Sequence, residues 1–307
     1  MFLLRFVLRD TITMKIFLYT RKGGEIMAKD LSRYLLVSDM DGTLLNNTKE
    51  ISEENIEAIK RFQQLGGKFT IATGRVQFST ESYLKDITLD APAILYNGAM
   101  IYDFYKKDII WQKHVSASIK ERVKRIYEEF PGLGIGAYCG DKLLIIRHNL
   151  MTVAMQMLDK VPYYSADKNI VQEYENTLLL EDGWERPWNK VILAATPKFL
   201  DEMEDYFINN IEEANVMRSG EILLELLPID ISKGTSLEKL AQYMNMDMEH
   251  VIAIGDNMND LDMLTRAGHG FTVTNCNEKL RPYAKYCLSS NEDHALVHVV
   301  KWAEENL

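Results

Sequence analysis

A mostly apolar run that ends in two aspartates constrains the fold of this chain more than any other feature. Residues 34–38 read Tyr-Leu-Leu-Val-Ser, and Asp39-Met-Asp41-Gly-Thr follows directly. A short apolar run of this kind predicts a buried strand. In open α/β sheets, ligands bind at the carboxyl ends of the strands. Because residues two apart on an extended chain point the same way, Asp39 and Asp41 can face one site.

The two acids allow three interpretations. The first is a strand-end turn with solvated carboxylates. The second is a calcium loop, but Leu44 stands where that loop needs glycine, and the preceding residues are strand-like rather than helical. The third is a nucleophilic carboxylate beside a general acid/base, since aspartate can form an aspartyl-phosphate. An anionic substrate would then need a cation, and Mg²⁺ with its oxygen ligands suits that role. The calcium-loop positions would be Asp39, Asp41, Thr43, Asn47 and Glu50.

The chain around these acids alternates strands and helices. A β-α-β-α-β order predicts parallel strands with right-handed crossovers, so we predict an α/β fold with a doubly wound, Rossmann-like parallel-sheet core. Strands and helices also alternate between the two halves of this core, but no predicted strand there ends in a cluster of acidic residues. We therefore predict an inserted α+β domain. The first half comprises the strand before Asp39, a helix over 53–65 capped by Ser52, a strand over 68–72, a helix over 78–84 and a strand over 93–96. In the second half we expect Asp293 to cap the last helix, 294–305.

The predicted domain boundaries follow this change of pattern. We assign 30–111 and 229–307 to the core domain, and 112–228 to the inserted domain. Residues 1–29 form an N-terminal extension that we expect to lack ordered structure or to be a start-site artefact. The codons of Lys22-Gly-Gly-Glu can form a purine-rich run like a ribosome-binding site, so translation is expected to start at Met27. A short membrane-surface anchor is the alternative.

Composition excludes several classes of protein. The 307 residues carry a formal net charge of −10, which disfavours a nucleic-acid binder. No apolar run reaches the roughly 18 residues needed to span a bilayer. The three cysteines, Cys139, Cys276 and Cys287, lack CxxC spacing, which favours a reducing compartment without a zinc or disulfide framework. We therefore expect a cytoplasmic protein that binds neither nucleic acid nor membrane.

A second acidic cluster also follows a predicted buried strand. Residues 255–260 read Gly-Asp-Asn-Met-Asn-Asp, which places Asn259 and Asp260 three and four positions after Asp256. The start of the following helix offers free N–H groups beside these side chains. Asp256 is a candidate partner for the metal, although a capping turn would also explain the pattern.

Two further strand and helix ends carry polar side chains. Thr73 and Gly74 follow a strand, where a hydroxyl and close backbone N–H groups could cradle phosphate. Lys233 lies in the first turn of a helix capped by Ser232, although a lysine there opposes the helix dipole. It is either an exposed surface lysine or an ammonium that pairs with Asp39 and a phosphate.

Taken together and in their order along the chain, the four segments resemble the motifs of the haloacid dehalogenase (HAD) superfamily of phosphohydrolases. The resemblance covers about residues 34–307, and the insertion resembles the large cap of the Cof-like, type IIB branch. The resemblance implies a phosphatase that uses Mg²⁺ and acts on a small phosphorylated metabolite, such as a sugar phosphate or a nucleotide-like cofactor. It also implies an aspartyl-phosphate intermediate, and we expect a monomer or homodimer.

The resemblance further implies a role for each matching residue. Asp39 would be the nucleophile and a metal ligand, and Asp41 the general acid/base that also offers its backbone carbonyl to the metal. The remaining predicted site residues are Asp256 as a metal ligand, Thr73, Gly74, Lys233 and Asn259 as phosphate ligands, and Asp260 as a support for Lys233 or a metal-bound water.

Other functions and residues stay open at this stage. A phosphomutase of the same branch, or a non-catalytic binding or regulatory module that keeps the fold, are the alternatives to a phosphatase. Arg75, Asn97 and Gly98 follow strands that lead to the same rim, where a structural role and a role at the mouth of the site are equally compatible. The aromatic residues of the insertion are expected in its core rather than in a substrate pocket: Tyr138, Tyr163, Tyr164, Trp184 and Trp188.

Overall fold

The computed structural model describes residues 19–22, 25–159, 163–174 and 177–307. The strands of the first half are β1 Tyr19–Lys22, β2 Glu25–Ala28, β3 Leu35–Ser38, β4 Lys68–Ile71, β5 Ala93–Leu95, β6 Met100–Asp103 and β7 Asp108–Gln112. Those of the middle segment are β8 Gly134–Cys139, β9 Lys142–Arg147, β10 Tyr163–Ser165, β11 Thr177–Leu179, β12 Lys190–Ala194, β13 Ala214–Gly220 and β14 Leu223–Pro228. The last strands are β15 Val251–Gly255, β16 His269–Thr272 and β17 Tyr286–Cys287.

The helices alternate with these strands, and the three with predicted bounds agree with the prediction within three residues at each end. Their bounds are Glu53–Gln64, Gln77–Glu81, Ala117–Glu129, Leu150–Asp159, Lys168–Glu173, Pro197–Asn210, Lys233–Tyr243, Leu261–Arg266 and Ala295–Asn306.

A parallel sheet forms the centre of the core. Its strands lie in the order β17-β16-β15-β3-β4, and every neighbouring pair is parallel. β3 and β15 are adjacent, with Ser38 opposite Ile254, so the residues that follow both strands emerge side by side. This confirms the predicted α/β class and explains how two acidic segments more than 200 positions apart can share one site.

The strand predicted over 93–96 belongs to a different sheet, so its predicted parallel pairing holds for only one bridge. β5 pairs antiparallel with β6, and β6 with β7, while Ala72 and Ile94 form a single parallel bridge to the core sheet. Tyr96 and Asn97 have φ values of 54° and 53°, which turn the chain back directly after β5. The hairpin β6–β7 was not predicted because all of β6 is buried, which removes the two-residue hydrophobic period.

The inserted segment forms a seven-stranded mixed sheet, which we call the cap sheet. Its order is β11-β10-β9-β8-β12-β14-β13, and β10 is parallel to both of its neighbours. Val191 and Leu193 of β12 point to one face and pack with residues from the helices Ala117–Glu129 and Pro197–Asn210. The other face carries Lys190 and Ile192, which line the cavity described below. The alternation along β12 therefore separates the apolar packing face from the face that meets the site.

The cap sheet confirms the predicted α+β insertion, and the boundaries at 112 and 228 stay a prediction. The segment 167–189 has no predicted elements, and the structure places the helix Lys168–Glu173 and β11 in it. Of the cap aromatics, Tyr163 and Trp188 are buried as expected, whereas Tyr138 lines the cavity described below.

Three smaller outcomes concern the cap of the last helix, the N-terminal extension and the possibility of a membrane-spanning helix. The predicted Asp293 cap is wrong: Asp293 lies in a 3₁₀ turn, and His294 in a left-handed conformation precedes the last helix. In the N-terminal extension, β1 and β2 pair antiparallel, whereas residues 1–18, 23 and 24 lie outside the described residues. The translation start at Met27 stays a prediction. None of the helices within the described ranges has the length and apolarity that crossing a membrane requires.

Candidate active site

A buried lysine joins two of the predicted carboxylates at the carboxyl edge of the core sheet. Lys233 is completely buried, and its Nζ donates hydrogen bonds of 2.6 Å to Asp39 Oδ1 and 2.6 Å to Asp260 Oδ1. Ser232 caps the helix that begins with Lys233, as predicted, and this cap fixes where the lysine enters the site. The interpretation of Lys233 as an exposed surface lysine is therefore wrong.

The segment after β15 organises the second acidic cluster. Asp260 Oδ2 accepts hydrogen bonds from the backbone N–H groups of Asp256 (3.0 Å) and Asn257 (3.1 Å), which closes the turn. With Lys233 on its other oxygen, the Asp260 carboxylate supports both this turn and the lysine. Asp256 faces the loop after β3, where Thr43 Oγ1 lies 3.4 Å from its Oδ1.

Gly42 allows the two acidic segments to approach closely. Its φ of +76° lies in the left-handed region, and a Cβ atom there would come within 2.4 Å of Asp256 Oδ2. Glycine is therefore required on both steric and conformational grounds. The Gly of the Asp39-x-Asp41-Gly-Thr motif is explained by this contact between loops.

The three acids Asp39, Asp256 and Asp260 form a cluster that fits a divalent cation. One carboxylate oxygen of each lies within 4.8 Å of the others. Burial, followed by the negative charges of Asp260 and Asp256, raises the pKa of Asp39. Burial and the charge of Asp260 raise the pKa of Asp256 to about 7. Lys233 supplies one positive charge against three carboxylates, so a divalent cation bound among them would favour the ionised forms of Asp39 and Asp256.

Lys233 itself stays protonated. Burial alone would lower the pKa of its ammonium group, but the adjacent carboxylates of Asp260 and Asp39 raise it above its ordinary value. The site thus contains a permanent positive charge in hydrogen-bond contact with Asp39.

Asp41 is held by two cations that sequence reasoning did not assign to it. Arg75 Nε and Nη2 donate to Asp41 Oδ2 and Oδ1 at 2.7 and 2.8 Å, and Lys49 Nζ donates to Oδ1 at 3.0 Å. Although burial would raise the pKa of Asp41, the hydrogen bonds and charges of Arg75 and Lys49 lower it to about 2. Asp41 is therefore a carboxylate in this arrangement.

Asn97 contacts three of the predicted phosphate ligands at this edge, namely Thr73, Gly74 and Asn259. Thr73 Oγ1 accepts the N–H of Arg75 at 3.1 Å, and Asn97 N–H donates to the Thr73 carbonyl at 3.0 Å. Asn259 Nδ2 donates to Asn97 Oδ1 at 3.0 Å. A Cβ on Gly74 would lie 2.9 Å from the Asn97 amide, so glycine lets that side chain cover the loop.

The described residues thus bring all the predicted site side chains to one sheet edge. Arg75 and Asn97 were noted in the sequence without a role, and Lys49 was not noted; the structure places all three in or against the site. A cavity of about 960 Å³ connects this edge to the cap sheet. Its lining includes Asp39, Asp41, Lys49, Thr73, Arg75, Asn97, Asp256 and Asn259 from the core, and Tyr138, Met155, Lys190, Ile192, Ser219 and Glu225 from the cap.

Comparison with known proteins identifies the class of protein that has this fold and site. A family model described as haloacid dehalogenase-like hydrolase matches residues 36–300. The chain belongs to this family, which confirms the predicted resemblance and the prediction of a phosphatase-class hydrolase.

Individual relatives span nearly the whole chain. A protein named phosphatase YwpJ from Bacillus subtilis is 26% identical over 87% of this chain and 98% of its own length. The 5-amino-6-(5-phospho-D-ribitylamino)uracil phosphatase YitU from the same organism is 24% identical over 87% of this chain and 96% of its own. The crystal structure of TM0651 from Thermotoga maritima aligns with a TM-score of 0.70 at 27% identity, covering 87% of this chain and 96% of that one.

The raised carboxylate pKa values predict that any stabilisation by a divalent cation such as Mg²⁺ depends on pH. With its folded-state pKa near 7 and its ordinary value at 3.8, Asp256 is protonated in the fold between these values but ionised when unfolded. Its contribution to metal-free stability therefore falls as the pH rises through this window, whereas Mg²⁺ binding needs the ionised form. We expect the Mg²⁺-induced increase in Tm to grow between pH 5 and pH 8, as measured by thermal unfolding with and without MgCl₂.

The matched control is Asp256→Asn, which removes the titrating group. This variant should show a smaller increase in Tm that varies less with pH than in the unaltered protein, because only Asp39 with its raised pKa remains. An equal increase for the unaltered protein at pH 5 and at pH 8, or none at pH 8, would contradict the assignment of this cluster to a metal.

Proposed function

We propose that this enzyme is a Mg²⁺-dependent phosphatase that hydrolyses a small phosphorylated metabolite through an aspartyl-phosphate on Asp39. The observation that carries the proposal is the position of Asp39, which lines the cavity while Lys233 contacts one of its oxygens at 2.6 Å. A phosphate ester in this cavity would meet a nucleophilic carboxylate, a fixed ammonium group and a cluster of metal-ligating acids. Such a site suits phosphoryl transfer, where catalysis is mainly positioning and charge stabilisation.

In the proposed first step, a carboxylate oxygen of Asp39 forms a bond to phosphorus and the bond from phosphorus to the leaving oxygen breaks. Thr73, Lys233 and Asn259 hold the phosphoryl oxygens. Asp39, Asp256 and the Asp41 carbonyl would hold Mg²⁺, which when bound offsets the negative charge of the substrate and the acids. Asp41 donates the proton that the leaving oxygen needs.

The cations beside Asp41 determine when it is protonated and can donate this proton. As described above, Arg75 and Lys49 hold Asp41 in its ionised form, which cannot donate a proton. A substrate phosphate competes for the same cations through charge-assisted hydrogen bonds. Weakening their contacts to Asp41 raises its pKa, and the protonated acid becomes available while the substrate is bound.

In the proposed second step, Asp41 returns to its basic role. Its carboxylate, produced when the leaving group takes the proton, accepts a proton from a water molecule that attacks phosphorus. The bond between phosphorus and the Asp39 oxygen breaks, which releases inorganic phosphate and restores the Asp39 carboxylate. When the phosphate leaves, Arg75 and Lys49 return to Asp41, whose proton passes to the departing phosphate or to water. Asp41 takes up a proton again when the next substrate binds, so each turnover is balanced.

The cap side of the cavity is compatible with a leaving group that has both apolar and polar parts. Met155, Ile192 and Leu223 provide apolar surface, whereas Ser219 and Tyr138 carry hydroxyl groups. A sugar phosphate or a nucleotide-like metabolite has this mixed character. The relative YitU is named for a substrate that joins a phosphorylated ribityl chain to a uracil ring, and we include that compound among the candidates.

The proposed function predicts phosphate release that needs Mg²⁺. The full-length protein is assayed for inorganic phosphate over sugar phosphates, nucleotides and 5-amino-6-(5-phospho-D-ribitylamino)uracil, with MgCl₂ and with EDTA. We expect release from at least one compound in MgCl₂ and a loss of at least about 100-fold in EDTA. Isomer formation without phosphate release would favour a phosphomutase. Failure to turn over any phosphoester would favour a non-catalytic module.

A further inference from the structure

A buried ion pair on the cap sheet faces the active-site cavity. Lys190 Nζ lies 2.6 Å from Glu225 Oε1, and each side chain is only 4% exposed. The two residues lie on the neighbouring strands β12 and β14, on the face opposite the apolar core of the cap. Removing two charges from water is costly unless further hydrogen bonds satisfy them. The other partners of this pair therefore indicate what keeps it in place.

Two of those partners belong to the core. Lys190 Nζ also donates to the Gly74 carbonyl at 2.9 Å, and Asn97 Nδ2 donates to Glu225 Oε2 at 2.7 Å. Ser219 Oγ, on the cap, donates to Glu225 Oε1 at 3.0 Å. The pair is thus satisfied jointly by the cap sheet and by two loops that follow core strands.

The contact with Glu225 determines which way the Asn97 amide points. An ionised carboxylate only accepts hydrogen bonds, so Asn97 must turn its NH₂ group toward Glu225. Its carbonyl oxygen then faces Asn259, which must in turn direct its own NH₂ group toward Asn97, at the observed 3.0 Å. Asn97 is completely buried in a left-handed conformation, so its backbone cannot easily readjust.

The orientation of Asn259 matters because this residue lines the cavity beside the acids. Its second Nδ2 hydrogen remains for a phosphoryl oxygen. Its Oδ1 is buried and has no hydrogen-bond partner within the part of the chain that the structure describes. A buried acceptor without a partner is unfavourable, so this oxygen is open to a hydrogen-bond donor from water or from a ligand.

We propose that Lys190 and Glu225 are positioning residues that couple the seating of the cap to the assembly of the phosphate site. Glu225 orients Asn259 through Asn97, and Lys190 fixes the loop at Gly74. When the cap sheet lies against the core, both loops are held in their binding arrangement; without it, the Asn97 amide can rotate. The inference rests on the proposed function, since it assigns the phosphate contact to Asn259.

Removing both charges together tests this role without leaving either charge buried alone. The single variant Glu225→Gln leaves the buried Lys190 ammonium without a negatively charged partner and should lower the Tm. The double variant Lys190→Met, Glu225→Gln is uncharged, and such a replacement is commonly tolerated. Because glutamine can present either end of its amide, the double variant no longer specifies the orientation of Asn97. The control is Glu213→Gln, the same change in the Glu213–Arg122 pair of the cap, which does not line the cavity.

The measurements are Tm, kcat and KM for the phosphoester that the wild-type protein turns over, and the Kd for inorganic phosphate in MgCl₂. We expect the double variant to recover the Tm lost by Glu225→Gln but to keep a loss of about 10- to 100-fold in kcat/KM and weaker phosphate binding. Glu213→Gln should behave like the wild type. If kcat/KM recovers together with Tm, the pair is only structural and the proposal is overturned. Absence of turnover in the wild-type protein would instead overturn the proposed function, and this inference with it.

Discussion

Replacing Asp39 with asparagine should lower phosphate release by at least about 1,000-fold, because an amide cannot form the aspartyl-phosphate. The loss should appear in kcat, since the reaction loses the group that bonds to phosphorus. The fold should persist, because the raised pKa of Asp39 means that its negative charge is unfavourable in the crowded, metal-free site. We therefore expect Asp39→Asn to have a Tm at pH 7 that is no lower than that of the wild type.

The matched control for this variant is Asp86→Asn, the same chemical change at an exposed position. It should leave both kcat and Tm unchanged. Turnover by Asp39→Asn above one-hundredth of the wild-type rate, in a preparation free of contaminating phosphatase, would reject Asp39 as the nucleophile.

Replacing Lys233 with methionine should produce the second large effect. The variant removes the ammonium group that contacts Asp39 and is expected to stabilise the transferring phosphoryl group. Loss of one preorganised charge-stabilising donor costs roughly 100- to 1,000-fold in kcat. It also leaves Asp39 and Asp260 buried without their shared cation, and breaking a buried ion pair in this way costs about 3–5 kcal/mol of stability.

A double variant separates the catalytic from the structural part of this effect. Lys233→Met combined with Asp260→Asn removes one buried negative charge and should restore part of the Tm, but it should not restore kcat. The control is Lys239→Met on the same helix, where the lysine lies over the Trp111 ring outside the cavity. Recovery of kcat in the double variant would show that Lys233 acts only by holding the fold together.

The strand ends of the core could be predicted because their signals are local. An apolar run followed by acids, a Thr-Gly after a strand and a Ser-capped lysine each occupy a few consecutive residues. Parallel strands then bring their ends to one edge, so Asp39, Thr73 and Asp256 meet as a consequence of topology. Lys233 reaches them from the start of a helix that follows the cap sheet. The Gly42 position also follows from the motif, although its reason, the contact with Asp256, is visible only in three dimensions.

The contacts that tune the site could not be predicted because their partners are distant in sequence. Arg75 reaches Asp41 across 34 positions, and Asn97 reaches Glu225 across 128. No local period indicates that Lys190 and Glu225 are buried, since charged residues in strands usually face solvent. The sheet to which β5 belongs was also assigned wrongly, because the positive φ values at Tyr96 and Asn97 cannot be read from an apolar run.

The most direct test of the account is the detection of the phosphoryl group on Asp39. The wild-type protein is mixed with Mg²⁺ and the substrate found in the phosphate-release screen, quenched in acid during turnover, digested, and analysed by mass spectrometry. We predict one added phosphoryl group on the peptide that contains Asp39, removable by hydroxylamine as expected for an acyl phosphate and absent from Asp39→Asn. Rapid turnover with no such adduct at any quench time, or an adduct on another residue, would contradict the account.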